Sequence, residues 1–273
     1  MQRDEFTDIC RGLRDLGGQR VWSLLVTLFG DLASAPGATL SGPALASILQ
    51  GIDVRPEAMR VSLHRLRKDE WILSEKSGRE SHHRLSARGR QETQVASRRI
   101  YSRSSCAGGK WYVAITDAAA PDPLHAMMSA GYVQIQNRVY AGENPRYAPK
   151  SALILQGDTA PDWLREALVP ISQKAGYAAL CALLEQADEA LTDATRYSVV
   201  DRATIRCLVV HNWRRLVLKH PDLPPTIFPD GWRGEDCRHL VHRLLDRFPR
   251  PKLSEIDMHA APANASTGRT GRL

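Results

Sequence analysis

RPEAMRVSLHRLRKDEWILSEKSGRESHHRLS, residues 55–86, decides how this chain is read. Proline at position 56 suits the first turn of a helix, where its missing N–H has no partner to lose. At 100° per residue, Met59, Ser62, Leu63 and Leu66 then share one face, while Arg60, Val61, His64, Arg65 and Lys68 face away. Trp71, Ile72 and Leu73 start a strand, Lys76-Ser77-Gly78-Arg79 turns it, and Ser81 to Leu85 return. The spacing predicts a helix with a basic outer face, followed by a polar two-stranded wing.

Residues 55–103 hold thirteen basic residues against six acidic ones, an excess of seven that equals the formal net charge of the whole chain, +7. One stretch supplies all the net positive charge, which is the electrostatic footprint of a polyanion reader; the competing reading is an ordinary solvated charged face. Upstream, Val21, Leu24, Leu25, Leu28 and Leu32 form an apolar helical stripe ended by Ala35-Pro36-Gly37. Thr39-Leu40 suits a short strand, and Ser41 can cap a second helix that turns Leu45, Ile48 and Leu49 inward and stops near Gly51. Downstream, Ser86 caps a basic helix through Arg88, Arg90, Arg98 and Arg99 to Tyr101, and Ser102 to Gly109 reads as a linker. Residues 18–103 are therefore expected to form a winged helix-turn-helix. In such a unit one helix reads base edges in the major groove while the wing grips phosphates. Arg55, Arg60, Val61, His64, Arg65, Lys68, Lys76, Ser77 and Arg79 are the candidate contacts to double-stranded DNA, Arg for guanine and Val61 for a thymine methyl.

A second domain is expected over 110–158. Trp111 to Thr116 reads as a strand, Pro123 to Ala130 as a short helix stopped by Gly131, Tyr132 to Ile135 and Val139 to Ala141 as a hairpin, and Ala152 to Gln156 as an edge strand. That order suits a small ferredoxin-like α/β sandwich. Residues 161–257 read as a helical domain, with Leu180, Leu183 and Leu184 on one helix, Ile205, Leu208, Val209, Leu216 and Val217 on another, and Leu240, Leu244 and Leu245 on a last one. The segment 258–273 lacks apolar periodicity and is expected to be a disordered tail. The fold class is thus α+β and multidomain.

An apolar fraction of 43 % is ordinary for a soluble protein, and no apolar run reaches the roughly 18 to 20 residues of a membrane span. MQRDEFTDICRGLRD has no apolar core of a secretory signal, so cytoplasmic residence is expected, with no membrane partner. Cys10, Cys106, Cys181, Cys207 and Cys237 are odd in number and scattered, which suggests reduced thiols rather than a disulfide frame or zinc site. His82 and His83 should point to opposite faces of a strand, and His239 with His242, near Asp236 and Cys237, lacks a completed ligand set, so no metal is expected. Asp117 ends the first strand of the central domain, where a nuclease carboxylate can stand, although capping a turn is its commoner role. Gly108-Gly109-Lys110 lacks the pattern of a phosphate-binding loop, and Asn264-Ala-Ser matches a glycosylation signal in a tail where it has no consequence.

SLLVTLFGD (residues 23–31), MRVSLHRLRKDEWIL (59–73), SGRESHHRLSARG (77–89) and, most specific, HNWRRLVLKHPDLPP (211–225), followed by Phe228-Pro229, Trp232, Gly234 and Leu240, together resemble the family of the phenylacetic acid degradation repressor PaaX. The resemblance spans Val21 to about Phe248. It implies a homodimeric, non-enzymatic repressor of aromatic-acid catabolism genes, with a winged helix-turn-helix, a ferredoxin-like middle domain and a helical C-terminal domain. It further implies release from the operator by an acyl-CoA effector such as phenylacetyl-CoA, with no cofactor. The effector is expected between the central and C-terminal domains, with Trp213, Arg214 and Arg215 as candidate contacts. Glu70 stands where the family tends to have Gly, His82-His83 replaces an aromatic pair, and His220 replaces an acid before Pro221. The first two imply an altered helix ending and wing packing, and the third bears on the ligand. The rival expectation is a metal-dependent nuclease, since the central domain also resembles the fold of the CRISPR-associated Cas2 proteins.

Overall fold

A computed structural model describes residues 2–16, 20–78, 80–104, 110–121, 123–169, 171–219 and 223–260. The fold mixes helices with two small sheets, and the chain divides into two compact units, each discontinuous in sequence. One is drawn from residues 1–95, 191–211 and 245–273, the other from 96–190 and 212–244. The sequence reading cut the chain into consecutive segments. Each compact unit also draws on residues far apart in sequence.

The first unit opens with a helix not foreseen from sequence, α1 (Gln2–Asp15), whose Phe6, Ile9, Cys10 and Leu13 recur at helical spacing and are buried. In α2 (Val21–Leu32), Leu24, Leu25, Leu28 and Phe29 are buried. A turn with Gly37 at φ +79° leads to β1 (Leu40–Ser41). Ser41 caps α3 (Gly42–Gln50) as expected: its hydroxyl accepts from the Ala44 N–H at 3.1 Å and donates to Asp257 Oδ1 at 2.6 Å. Then come α4 (Pro56–Lys68), β2 (Ile72–Ser77), β3 (Glu80–Leu85) and α5 (Ala87–Ile100). The sheet order is β1-β3-β2, all antiparallel, with Leu40 opposite His83 and Ile72 opposite Leu85. α4 packs on α2, α3 and β2.

The second unit holds β4 (Trp111–Ile115), α6 (Leu124–Ser129), β5 (Val133–Gln136), β6 (Val139–Gly142) and β7 (Leu153–Gly157). Their order is β5-β6-β4-β7 with every neighbour antiparallel, so β4 and β5, joined through α6, run parallel on either side of β6. The hairpin turns at Asn137-Arg138, and β7 is the edge strand expected from sequence. Gly157 is required there, because a Cβ would lie 2.2 Å from the Trp111 ring. Next come α7 (Asp162–Leu168), α8 (Ile171–Ala190), α9 (Val199–Val217), α10 (Gly234–Arg247) and α11 (Leu253–Ala260). α5, α9 and α10 contribute residues to both units. Met258 to Ala260, expected to begin a disordered tail, instead form the last turn of α11, whose Ile256 is buried in the core; residues 261–273 lie outside the described residues, as do Gly18 and positions 105–109 of the expected linker. Among the described residues no single helix is long and apolar enough to cross a membrane.

The first unit is tied by one buried ion pair. Arg206 of α9 meets Asp31 of α2 twice, Nε to Oδ2 at 2.6 Å and Nη2 to Oδ1 at 2.9 Å. The same guanidinium donates to the carbonyls of Leu245 (3.2 Å) and Phe248 (2.8 Å), and Arg250 adds a contact to Asp31 Oδ1 at 3.1 Å. With the Asp31 side chain 1 % and the Arg206 side chain 5 % exposed, the pair is compensated on both sides, the condition under which a buried charge is tolerated.

Candidate nucleic-acid interface

α4 begins as its sequence dictates, with Arg55 in extended conformation before Pro56, Glu57 in the first turn, and Arg65, Arg67 and Lys68 in the last, where cations complement the helix dipole. Leu63 and Leu66 are buried and Met59 is half-buried. Arg55, Arg60, Val61, His64, Arg65, Arg67 and Lys68 are all exposed. Val61 is 70 % exposed. Arg67 was absent from the sequence-derived contacts because the helical wheel sets it beside the buried stripe. Its long stem carries the charge outward nonetheless.

Two of these arginines are pre-oriented. Arg60 pairs with Glu57 at 3.0 Å, and Arg65 lies 3.6 Å from Asp69 with its guanidinium 5.4 Å above the Trp22 ring. Exposed pairs of this kind are worth about 0 to 1 kcal/mol, so a phosphate or base edge can replace the carboxylate at small cost. Trp22, like Arg67, is a participant that sequence reasoning missed. It reads simply as a member of the α2 helix.

The end of α4 explains the Glu70 departure. The Trp71 N–H bonds the Leu66 carbonyl at 2.8 Å and the Glu70 N–H that of Arg67 at 3.0 Å, a Schellman motif that puts Glu70 at φ +55°. Glycine reaches this region without a Cβ clash, whereas Glu70 sits there under strain. Ser86 braces the same corner, donating to the Glu70 carbonyl at 2.6 Å and accepting from the Gly89 N–H at 3.0 Å. A Cβ on Gly89 would lie 2.3 Å from the Trp71 carbonyl oxygen.

In the hairpin, Lys76 and Ser77 are exposed and Gly78 turns at φ +62°; Arg79 lies outside the described residues. Arg84 reaches Glu75 across the strands at 2.6 Å, and its hydrogen bond lowers the Glu75 pKa. His82 and His83 point to opposite faces. His83 is buried against Ser74, Oγ to Nδ1 2.7 Å, and burial, helped by the charges of Arg67 and His82, lowers its pKa to about 4. The imidazole thus fills an aromatic position as a neutral ring.

Not every basic residue of the stretch is available. Arg88 donates to the Asp69 carbonyl at 3.3 Å and Arg90 to that of Leu85 at 3.0 Å, bracing the join between β3 and α5, while Arg99 donates to the Val217 carbonyl in the second unit. Arg55, Arg60, Arg65, Arg67 and Lys68, at the start of α4 and along it, and Lys76 of the hairpin remain exposed.

The C-terminal motif is a packing motif. Trp213, expected to contact a ligand, is 0 % exposed: its Nε1 donates to the Ile100 carbonyl at 2.9 Å, its ring meets Tyr177 edge-on at 6.1 Å, and Arg238 covers it at 5.3 Å. It is a core residue with its polar atom satisfied. Arg214 and Arg215 are half-buried on the next positions of α9, Arg215 donating to Asn212 at 3.4 Å. Trp232 stacks on Phe228 at 4.8 Å and tilts against Tyr177 at 4.4 Å; a Cβ on Gly234 would lie 2.4 Å from the Trp232 ring, which accounts for the glycine. His220 and Pro221 lie outside the described residues. Asp117 is exposed and caps a turn, accepting from the Ala119 N–H at 2.8 Å. His242 bonds the Ser102 carbonyl at 2.9 Å, His239 is exposed, and among the described residues no group of three or more His, Cys, Asp or Glu side chains is placed to hold a metal.

An exposed cationic helix braced against a hairpin is the electrostatic footprint of the nucleic-acid-binding proteins as a class. A family model described as PaaX-like protein matches residues 20–89, and one described as PaaX-like protein C-terminal domain matches residues 171–252. The chain belongs to the PaaX-like family. It is 26 % identical over 265 residues to the transcriptional repressor PaaX of Escherichia coli strain K12, covering 86 % of this chain and 82 % of that protein. Among solved structures, the uncharacterized protein Rv0674 from Mycobacterium tuberculosis aligns with a TM-score of 0.48 at 18 % identity, over 86 % of this chain and 97 % of that one.

Proposed function

We propose that the protein is a DNA-binding transcriptional repressor that acts on a phenylacetate-type catabolic operon and leaves its operator when an acyl-CoA such as phenylacetyl-CoA binds. Residues 18–103 act as a winged helix-turn-helix, with α4 as recognition helix and the β2–β3 hairpin as wing. Residues 110–158 act as a ferredoxin-like domain, an assignment supported by the β5-β6-β4-β7 order, and 161–257 as a helical domain. One observation carries the reading: α4 buries Leu63 and Leu66 and leaves Arg60, Val61, His64, Arg65 and Lys68 to solvent. A helix with that division can enter a major groove, where arginine pairs with guanine and valine meets a thymine methyl.

Two copies related by a two-fold axis place two such helices on a palindromic site. The effector acts by preferring the geometry that fits the operator less well, so its differential affinity sets the extent of release. Gel-shift titration against the DNA upstream of the chain's own gene tests the assignment. Arg60→Ala and Arg65→Ala each weaken specific binding by roughly 1 to 3 kcal/mol, and Lys76→Ala reduces mainly the salt dependence. Unchanged affinity in the Arg60→Ala/Arg65→Ala double variant overturns the recognition-helix assignment.

A further inference from the structure

A cleft of about 660 Å³ opens in the first unit, bounded by α1, the turn from α3 to α4, and the segment entering α9. That volume is within the ~300 to 1,000 Å³ usual for small-molecule sites. Its lining combines two chemistries. Phe6 and Tyr197, stacked at 4.9 Å, give an aromatic wall, with Cys10 and Ile52 beside it. Burial and the nearby Asp201 charge push the Cys10 thiol up to about 12, so the floor stays neutral.

Arg11, Arg14 and Arg196 supply the polar side. Arg11 pairs with Asp8 at 2.7 Å through Nη1, and Arg196 with Asp193 at 3.3 Å through Nε, both exposed pairs that exchange readily. Arg14 pairs with Asp15 at 2.8 Å and with Asp53. Of the two carboxylates in the lining, Asp201 is committed to the start of α9, accepting from the Ser198 N–H at 3.2 Å and hydroxyl at 2.8 Å. Asp53 is the exposed one, held at φ +57° in the turn that sets the direction of α4.

We propose that this cleft binds a small organic anion, its aryl or acyl group against Phe6 and Tyr197 and its carboxylate or phosphate on Arg11, Arg14 and Arg196, in competition with Asp53. The proposal rests on the effector reading above and assigns the effector a place beside the recognition helix. Drawing Arg14 away from Asp53 releases a left-handed residue in the turn between α3 and α4. Ligand occupancy thereby reaches the DNA-reading helix through one ion pair.

Calorimetric titration of the full chain with phenylacetate, coenzyme A and phenylacetyl-CoA tests it, the first and second separating a carboxylate source from a phosphate source. Thr7→Trp, at an exposed lining position of α1, fills the cleft without disturbing the core, and Arg11→Gln/Arg196→Gln removes two charges. The expected result is binding of at least one probe, weakened tenfold or more in both variants, with ligand-free gel shifts equal to wild type. Wild-type affinity in Thr7→Trp, or no binding of any probe below 1 mM, overturns the cleft assignment and leaves the repressor reading standing. Binding lost in the variants of a protein that shifts no DNA keeps the site and removes the repressor.

Discussion

Replacing Asp31 by Ala removes the carboxylate that accepts hydrogen bonds from Arg206, at both oxygens, and from Arg250. The Arg206 side chain, 5 % exposed, then keeps only the carbonyls of Leu245 and Phe248 for its full positive charge. Breaking one side of a buried pair costs about 3 to 5 kcal/mol, a large share of the ~5 to 15 kcal/mol that stabilises a typical domain. Urea unfolding followed by far-UV circular dichroism measures the loss as a lower midpoint at constant slope. Arg206→Met costs less than Asp31→Ala, because Asp31 retains Arg250, whose side chain is 47 % exposed and can bring water with it. The double variant Asp31→Leu/Arg206→Met recovers to within about 2 kcal/mol of wild type, since an apolar pair of similar volume removes both desolvation penalties. If Asp31→Ala shifts the transition by less than about 1 kcal/mol, or the double variant loses the sum of the two single ones, the pair does not hold this core together.

Glu70→Gly relieves a residue at φ +55° and raises stability by about 1 kcal/mol, read as a higher urea midpoint. Gly89→Ala sets a methyl 2.3 Å from the Trp71 carbonyl oxygen and lowers the midpoint by an amount on the order of 2 kcal/mol. The folded pKa of His83 is about 4, below the ordinary 6.5, so between these values the unfolded chain takes up a proton that the fold refuses. Its contribution is complete above pH 6.5 and declines as pH falls toward 4, by at most about 1.4 kcal/mol per pH unit. Midpoints measured from pH 7 to pH 4 show that slope, and His83→Gln flattens it.

The region around α4 was legible because each level of the sequence agrees there. Pro56 starts α4, Leu63 and Leu66 fix its inner face, Ser41 and Ser86 cap the flanking helices, and Gly78 turns the hairpin. Such signals are local, spanning a few residues. The connection of Asp31 to Arg206 and Arg250 spans 175 and 219 residues and has no local signature, so the discontinuous units were not legible. α1 was missed although Phe6, Ile9, Cys10 and Leu13 are spaced for it, because the four acids and three arginines of the segment were weighed only against a secretory signal. Trp213 was misjudged for another reason. A tryptophan beside two arginines suggests a ligand on chemistry alone, and only the Ile100 carbonyl and the Tyr177 ring show that it is already satisfied.

Synthesis of this chain on a ribosome is constrained by where Arg250 stands. Asp31 emerges early, but its second arginine follows 219 residues later, which at ~5 to 20 residues per second is a delay of roughly 10 to 45 s. For the first 175 of those residues the nascent segment bearing α4 has its basic surface but neither of the cationic partners that let α2 bury its aspartate. The core that carries α4 is therefore closed by residues made long after α4 itself.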